Sequence, residues 1–187
     1  MEGLNTGTFD IYKDISARTN GEIYIGVIGA VRTGKSSFIK RFMELLVLPN
    51  MEGEHRRERA IDELPVSGAG RTIMTTEPKF IPENAARIPL DEGAECRVKL
   101  IDCVGYIVPG AMGLIEEGQP RMVMTPWSET PLPFEEAAET GTRKVIREHS
   151  TVGILVTTDG SIGELPRESY VDAEKRVVDE LKEINKP

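Results

Sequence analysis

The chain has 187 residues, which is the usual size of one domain, and 39% of them are hydrophobic. Its formal net charge of −8 argues against general nucleic-acid binding and against docking on anionic lipid through a polybasic patch. No apolar run approaches the roughly 18 residues that a membrane span needs, and the polar first ten residues are not those of a signal peptide.

The predicted elements alternate between strands and helices along most of the chain. Residues 50–70 show no clear period. In chain order, apolar periodicity and β-branched runs predict a short helix over 9–18, a strand over 23–28, a helix over 38–46, a short edge strand over 79–81, a strand over 96–102, a helix over 134–149, a strand over 152–158 and a helix over 170–184. This alternation predicts an α/β fold with a mostly parallel sheet flanked by helices.

The domain organisation is predicted to be simple. Residues 1–20 form an N-terminal segment, and residues 21–187 form one domain. Residues 104–133 are rich in glycine and proline and contain the only tryptophan; we expect an ordered insertion or a partner surface, with a mobile loop as the alternative. The last helix should lead into another strand, so we expect this domain to be incomplete before its last strands.

The cysteines and histidines do not have the spacing of a metal site. Cys96 and Cys103 flank one predicted strand, and seven residues of strand span roughly 23 Å, which is beyond the reach of a disulfide. His55 and His149 are distant from both and from each other. We expect buried, free thiols of a reducing compartment and histidines with surface or structural roles.

Residues 29–36 fit the phosphate-binding pattern G-x-x-x-x-G-K-S/T, and they stand between a buried strand and an amphipathic helix, as that pattern requires. Glycines let the backbone N–H groups approach phosphate oxygens, and the helix N-terminus adds its positive dipole end. Lys35 then reaches the β- and γ-phosphates, and the Ser36 hydroxyl ligates Mg²⁺. A glycine turn without a ligand is the alternative. The candidate nucleotide-binding residues are Gly29, Ala30, Val31, Arg32, Thr33, Gly34, Lys35, Ser36 and Ser37.

A second motif follows about 70 residues later, where Asp102 ends a predicted strand and begins a D-x-x-G sequence. In P-loop nucleoside triphosphatases (NTPases) an aspartate at this place helps to hold Mg²⁺, often through water. The spacing suits a Gly105 amide that faces the γ-phosphate. An ordinary turn at the end of a strand is the alternative, since D-x-x-G alone is a weak signal.

Three threonines, Thr72, Thr75 and Thr76, lie between the two motifs. A P-loop switch needs an oxygen that senses the γ-phosphate and Mg²⁺, and Thr75 and Thr76 are the strongest candidates for it. The alternative is that these threonines simply suit an extended segment.

The residue after the D-x-x-G motif is Tyr106. In small GTPases a glutamine there orients the attacking water, which a tyrosine cannot do in the same way. We therefore predict slow intrinsic hydrolysis that assembly or a partner accelerates. A structural scaffold that binds nucleotide without turnover remains an alternative.

The base preference is not readable from the motifs. A GTPase reads guanine with an N-K-x-D motif after a buried strand, whereas Asn185 and Lys186 follow a charged helix and precede Pro187. We do not interpret them as a base-reading motif. A GTPase switch therefore stays open beside an ATPase.

With these motifs in place, the chain resembles the ATPase domain of the stage IV sporulation protein A family, the spore-coat morphogenetic ATPases of endospore-forming bacteria. The resemblance runs from about residue 11 to the end. The segments that carry it are residues 26–36, 72–80, 100–106 and 157–160.

The resemblance implies a P-loop NTPase fold of the translation-factor type, with ATP and Mg²⁺ as ligands. It implies that Lys35 binds phosphate, that Asp102 serves Mg²⁺, and that Thr75 and Thr76 are the sensor threonines. It also implies hydrolysis that drives self-assembly into the basement layer of the spore coat. That layer lies in the mother-cell cytoplasm at the outer forespore membrane, where a small amphipathic membrane peptide recruits the protein and other coat proteins join it. Family members carry middle and C-terminal regions that this chain lacks, which puts filament formation by the chain alone in doubt.

Overall fold

A computed structural model describes residues 21–65, 77–89, 95–161 and 165–187. The elements are β1 (Glu22–Ile28), α1 (Lys35–Phe42), α2 (Glu54–Asp62), β2 (Lys79–Pro89), β3 (Glu95–Asp102), β4 (Ile115–Glu116), β5 (Gln119–Pro120), β6 (Met122–Val123), β7 (Leu132–Pro133), α3 (Phe134–Lys144), β8 (Val152–Leu155) and α4 (Val171–Glu183). Short turns of other helix types extend α1 (Met43–Val47, then Leu48–Asn50) and α3 (Val145–His149), and another, Arg167–Tyr170, leads into α4.

The main sheet has the strand order β2-β3-β1-β8. Strand β1 runs parallel to β3 and to β8, and only the edge pair β2–β3 of this sheet is antiparallel. The prediction of a mixed α/β fold with a mostly parallel sheet is therefore confirmed. The register pairs Val27 with Asp102 and Ile28 with Leu155, so the three parallel strands end at one edge of the sheet.

Helices cover both faces of this sheet. Since side chains alternate along a strand, Val27 and Leu100 face one side while Ile28 and Ile101 face the other. The first side packs against α1 and α2, and the second packs against α3 and α4. The helix residues buried there are Ile39, Met43, Val47 and Ala60 on the first side, and Phe134, Ala138, Val145, Ala173 and Val177 on the second.

One helix was not predicted, and the bounds of two strands were wrong. Helix α2 was not predicted, because it is almost wholly charged and buries only Ala60, so it has no apolar period. Strand β2 has eleven residues instead of three, and a register shift between Ile81 and Ala86 interrupts its pairing with β3. Strand β8 ends at Leu155, three residues early, because its partner β1 ends at Ile28. The predicted helix over 9–18 lies outside the described residues.

The segment over 104–133 has defined structure. Residues 104–106 are buried beside the sheet, and two small hairpins, β4–β5 and β6–β7, follow. The hairpin region exposes four large apolar side chains, namely Met112, Ile115, Met122 and Met124. The domain bounds, and the choice between an ordered insertion or partner surface and a mobile loop, stay predictions. Across the described ranges, no helix combines the length and apolarity needed to cross a bilayer.

The cysteines and histidines lie in different environments. Both thiols are free, but only Cys103 is buried, and Cys96 is half-buried at the start of β3. His149 packs edge-on against Phe80, with ring centroids 5.8 Å apart, and the His55 side chain is fully exposed. Within the described parts of the chain, no three histidine, cysteine or acidic side chains cluster as metal ligands would.

Candidate functional site

The loop over residues 29–36 joins the end of β1 to the start of α1, and glycine is required at both of its ends. A Cβ on Gly29 would lie 2.3 Å from the Val156 carbonyl oxygen, so no larger residue fits there. Gly34 is the N-cap of α1 with φ 93°, a left-handed conformation that costs other residues about 1–2 kcal/mol. A Cβ at Gly34 would meet nothing within 4 Å, so its role is conformational.

The N-terminus of α1 opens toward this loop. The first helical bond there runs from the Phe38 N–H to the Gly34 carbonyl at 2.8 Å. The preceding N–H groups, those of Lys35, Ser36 and Ser37, have no intrahelical acceptor, and no side chain of the described residues caps this end. Such an end attracts anions, because its N–H groups and the helix dipole both favour negative charge.

The Lys35 ammonium is buried at the centre of the site, with 5% of the residue exposed. Its Nζ donates to the Ala30 carbonyl at 2.5 Å, and the same oxygen accepts the Thr33 hydroxyl at 3.0 Å. Burial lowers the pKa of Lys35, while the neighbouring Cys103 thiol and Asp102 carboxyl oppose that shift. Because an ammonium has three donors, a neighbouring phosphate would both accept hydrogen bonds and favour the charged form.

Ser36 and Asp102 meet across the site. The Ser36 hydroxyl donates to Asp102 Oδ2 at 2.8 Å, and the carboxyl is 5% exposed. The other oxygen, Oδ1, is buried and finds no hydrogen-bond partner among the described residues. Burial raises the pKa of Asp102, while the Ser36 hydrogen bond and the Lys35 charge oppose the rise. An orphaned carboxylate oxygen next to a hydroxyl fits a hard cation such as Mg²⁺, whose other ligands are typically substrate oxygens and water.

The D-x-x-G segment is tied to the loop through its backbone. The Tyr106 N–H donates to the Gly29 carbonyl at 3.1 Å, and the Val31 N–H donates to the Tyr106 carbonyl at 2.9 Å. Gly105, at φ 94°, lies so close that a Cβ would be 2.3 Å from the Gly29 oxygen and 2.6 Å from Lys35 Nζ. The two motifs therefore form one unit, in which a third glycine is required.

The Gly105 N–H donates to Thr142 Oγ1 at 3.1 Å. Thr142 lies in α3 and is completely buried. Sequence reasoning missed this residue, although a weak signal was present: Gly141 and Thr142 are poor helix formers inside a helix, and small residues there mark a close approach of another element. The expectation that this N–H faces a γ-phosphate stays a prediction.

The Tyr106 side chain points away from the loop. Its hydroxyl donates to Glu180 Oε1 in α4 at 2.7 Å, and the Arg176 guanidinium stacks over its ring at 4.2 Å. Burial and the Glu180 carboxyl raise the pKa of Tyr106, so its phenol stays neutral. A phenol held in this way is not placed to orient water beside Lys35. Sequence reasoning also missed Glu180 and Arg176, since nothing along the chain links them to Tyr106.

The structure thus brings Lys35, Ser36, Asp102 and Gly105 together around the loop. Arg32 and Ser37 lie on its exposed side, and Arg32 adopts a left-handed φ of 63°. The Val31 N–H is already bonded to Tyr106 and is not available to a phosphate. The sensor candidates Thr72, Thr75 and Thr76 lie outside the described residues.

Comparisons with known proteins point to one family. The family described as "Stage IV sporulation protein A, ATPase domain" matches residues 6–187. Proteins named stage IV sporulation protein A are 66% identical in Bacillus anthracis, 61% in Bacillus subtilis (strain 168) and 55% in Clostridioides difficile (strain 630), each over 178 residues. These alignments cover 95% of the chain but only 36% of each relative. No solved structure matches the chain.

Proposed function

We propose a function for this chain, which belongs to the stage IV sporulation protein A family and corresponds to its ATPase domain. The loop over residues 29–37 binds the phosphates of ATP, and the domain hydrolyses ATP. We place its fold with the P-loop NTPases of the translation-factor type. The strand–loop–helix order at β1 and α1 and the parallel strands on both sides of β1 support that placement.

The observation that carries the proposal is the buried Oδ1 of Asp102, which lies beside the Ser36 hydroxyl and has no hydrogen-bond partner among the described residues. An unpaired buried carboxylate oxygen is costly unless a ligand completes it. It lies next to the buried ammonium of Lys35 and to a helix end that no described side chain caps, so a cation and a polyphosphate together would satisfy all three groups.

Different residues of the chain are proposed to bind the phosphates, to hold Mg²⁺ and to sense the γ-phosphate. Lys35 and the N–H groups at the start of α1 hold the β- and γ-phosphates, and Ser36 and Asp102 hold Mg²⁺. The Gly105 N–H and an oxygen of Thr75 or Thr76 sense the γ-phosphate. Bound Mg²⁺ neutralises charge that develops on the phosphate oxygens, and catalysis otherwise consists of positioning and electrostatic stabilisation.

Turnover is expected to be slow in the isolated domain. The residue that follows the D-x-x-G motif, Tyr106, is engaged by Glu180, so no side chain at that position orients the attacking water. The same observation favours the second candidate function, a scaffold that binds nucleotide without turnover. Phosphate release from a concentrated sample, compared with that from an Asp102→Ala variant, separates the two.

The whole protein's role is also a proposal, because the chain spans only 36% of its relatives' length. We propose that the nucleotide cycle drives self-assembly of a spore-coat basement layer in the mother-cell cytoplasm, at the outer forespore membrane. A small amphipathic membrane peptide and other coat proteins would be its partners there. The relatives' name, which refers to sporulation, supports this setting, and regions beyond this chain would take part.

The test is the Lys35→Ala variant with Lys40→Ala as its control, because Lys40 is exposed on the same helix. Calorimetric titration with Mg·ATP is expected to show about a hundredfold weaker binding for Lys35→Ala, since a charge-assisted phosphate contact is lost. Lys40→Ala should bind like the wild type. Equal affinity in both variants would sink the site, and competition between ATP and GTP decides the base preference.

A further inference from the structure

The Gly105 N–H has as its acceptor a side chain, that of Thr142, which belongs to neither nucleotide-binding motif. It donates to the hydroxyl oxygen of Thr142 at 3.1 Å. Thr142 is completely buried in α3, on the face of the sheet opposite α1. In this structure, therefore, the N–H of a residue that abuts the nucleotide-binding loop already has a protein acceptor.

Gly105 itself is tightly held. The Gly29 oxygen and Lys35 Nζ would lie 2.3 Å and 2.6 Å from a Cβ at this position, and the next residue, Tyr106, is bonded to Gly29 on one side and to Val31 on the other. Gly105 thus abuts the loop at its Cα, while its N–H is bonded to the Thr142 hydroxyl. A single N–H makes one good hydrogen bond, so an acceptor on one side excludes an acceptor on the other.

We infer that Thr142 is a positioning residue that competes with the γ-phosphate for the Gly105 N–H, and so sets the preference of the site between diphosphate and triphosphate. The inference rests on the proposed nucleotide site. A nucleoside diphosphate leaves the Gly105–Thr142 bond intact. A triphosphate gains the Gly105 N–H only by breaking that bond, so its net binding free energy is smaller than its contacts alone would give.

The test compares variants that lack the hydroxyl, Thr142→Val and Thr142→Ala, with Thr142→Ser, which keeps it. Binding of Mg·ADP and of Mg·adenylyl imidodiphosphate, a non-hydrolysable triphosphate, is measured by calorimetry. Without the hydroxyl, the triphosphate is expected to bind about tenfold more tightly, or about 1.4 kcal/mol, because it satisfies an otherwise unpaired N–H. Affinity for Mg·ADP should not change, and Thr142→Ser should restore the wild-type ratio.

Thr151→Val is the matched control. The Thr151 hydroxyl accepts the Tyr24 N–H at 2.9 Å, so this variant also removes a hydroxyl that serves a backbone N–H. It does so before β8, at the end of the sheet away from the loop. It should destabilise the fold without changing the ratio of the two affinities.

A purely structural role for Thr142 would lower both affinities together or neither, and either result overturns the inference. If the wild type binds neither nucleotide, the proposed function fails first. If it binds both and the ratio stays the same in Thr142→Val and Thr142→Ala, only the competition is refuted.

A measurement on the wild type covers the case in which those variants do not fold. The ¹H–¹⁵N resonance of the Gly105 amide reports its acceptor directly. It should stay near its ligand-free position with Mg·ADP and move with Mg·adenylyl imidodiphosphate. The same position in both complexes would show that the N–H keeps Thr142 as its acceptor, which contradicts the inference.

Discussion

Two neighbouring stretches that follow β3, residues 103–106 and residues 111–133, have opposite roles in the structure. The first is wholly buried, and its backbone bonds to the loop that precedes α1. The second folds into two small hairpins that are largely exposed, with Met122 and Met124 more than half exposed. Each stretch contains glycine: Gly105 in the first, and Gly113 and Gly118 in the second.

The difference shows that glycine content alone does not reveal what a loop is for. Gly105 is required because the Gly29 carbonyl and Lys35 leave no room for a Cβ. Gly118 closes the β4–β5 hairpin at φ 78° with open space around it, so only its backbone conformation matters. The two glycines differ in their neighbours: Gly29 and Lys35, distant in sequence, pack against Gly105, whereas no described residue would meet a Cβ on Gly118.

One glycine substitution in each stretch gives the strongest test of this difference. Gly105→Ala should lower the free energy of unfolding by about 3 kcal/mol or more, because left-handed strain adds to a clash with backbone and ammonium atoms. Gly118→Ala carries the strain alone and should cost about 1–2 kcal/mol. Urea unfolding measures both, and equal losses would show that the contacts around Gly105 do not matter.

Tyr106→Phe tests whether the buried stretch is anchored through its side chain. Removing the hydroxyl takes a hydrogen bond from Glu180 Oε1, and Glu180 Oε2 already has no partner among the described residues. The free energy of unfolding should therefore fall by about 2 kcal/mol. Tyr24→Phe is the control, because its hydroxyl bonds Glu22 at 2.7 Å at a half-buried site, and it should cost less.

The hydrolysis rate of Tyr106→Phe is expected to stay within about twofold of the wild type, since the phenol does not face the nucleotide site. A tenfold drop in kcat would instead assign Tyr106 a part in the chemistry.

Acid should weaken the contacts that hold the Tyr106 side chain, because Glu139 forms an ion pair with Arg176, which stacks on the Tyr106 ring. The Arg176 guanidinium holds the pKa of Glu139 below its ordinary value of 4.5. The resulting stabilisation is present above that value and is lost as pH falls through the lower folded-state pKa.

Glu139→Gln should therefore cost a few tenths of a kcal/mol at neutral pH, an amount typical of a partly exposed ion pair. The gap between variant and wild type should close as unfolding is repeated at decreasing pH. A gap that widens in acid would reverse the assigned sign.

The smallest effect is expected in the hairpins. Met124→Gln changes an exposed side chain, so the free energy of unfolding should stay within about 0.5 kcal/mol of the wild type, and nucleotide affinity should not change. A loss above about 1 kcal/mol in thermal or urea unfolding would mean that Met124 is covered in solution, and the contrast between the two stretches would then be weaker.

The centre of the candidate site was readable from the sequence because its chemistry is local. The spacing from Gly29 to Ser36 specifies a loop and a helix start, and an aspartate at the end of a parallel strand must lie at the same edge of the sheet. Within the described ranges, α2 is the one helix that was not predicted, because its charged surface carries no apolar period. The sensor threonines, Thr75 and Thr76, remain a prediction.

The class of fold, the family and the residues that meet at the loop could be predicted from the amino-acid sequence, since periodicity and motif spacing are properties of neighbours along the chain. The surroundings of that loop could not, because they depend on tertiary packing. The Thr142 hydroxyl that takes the Gly105 N–H, and the Glu180 and Arg176 side chains that turn Tyr106 away, come from helices 37 to 74 residues distant. Hydrogen bonds between such partners depend on how helices pack on the sheet, which no local pattern encodes.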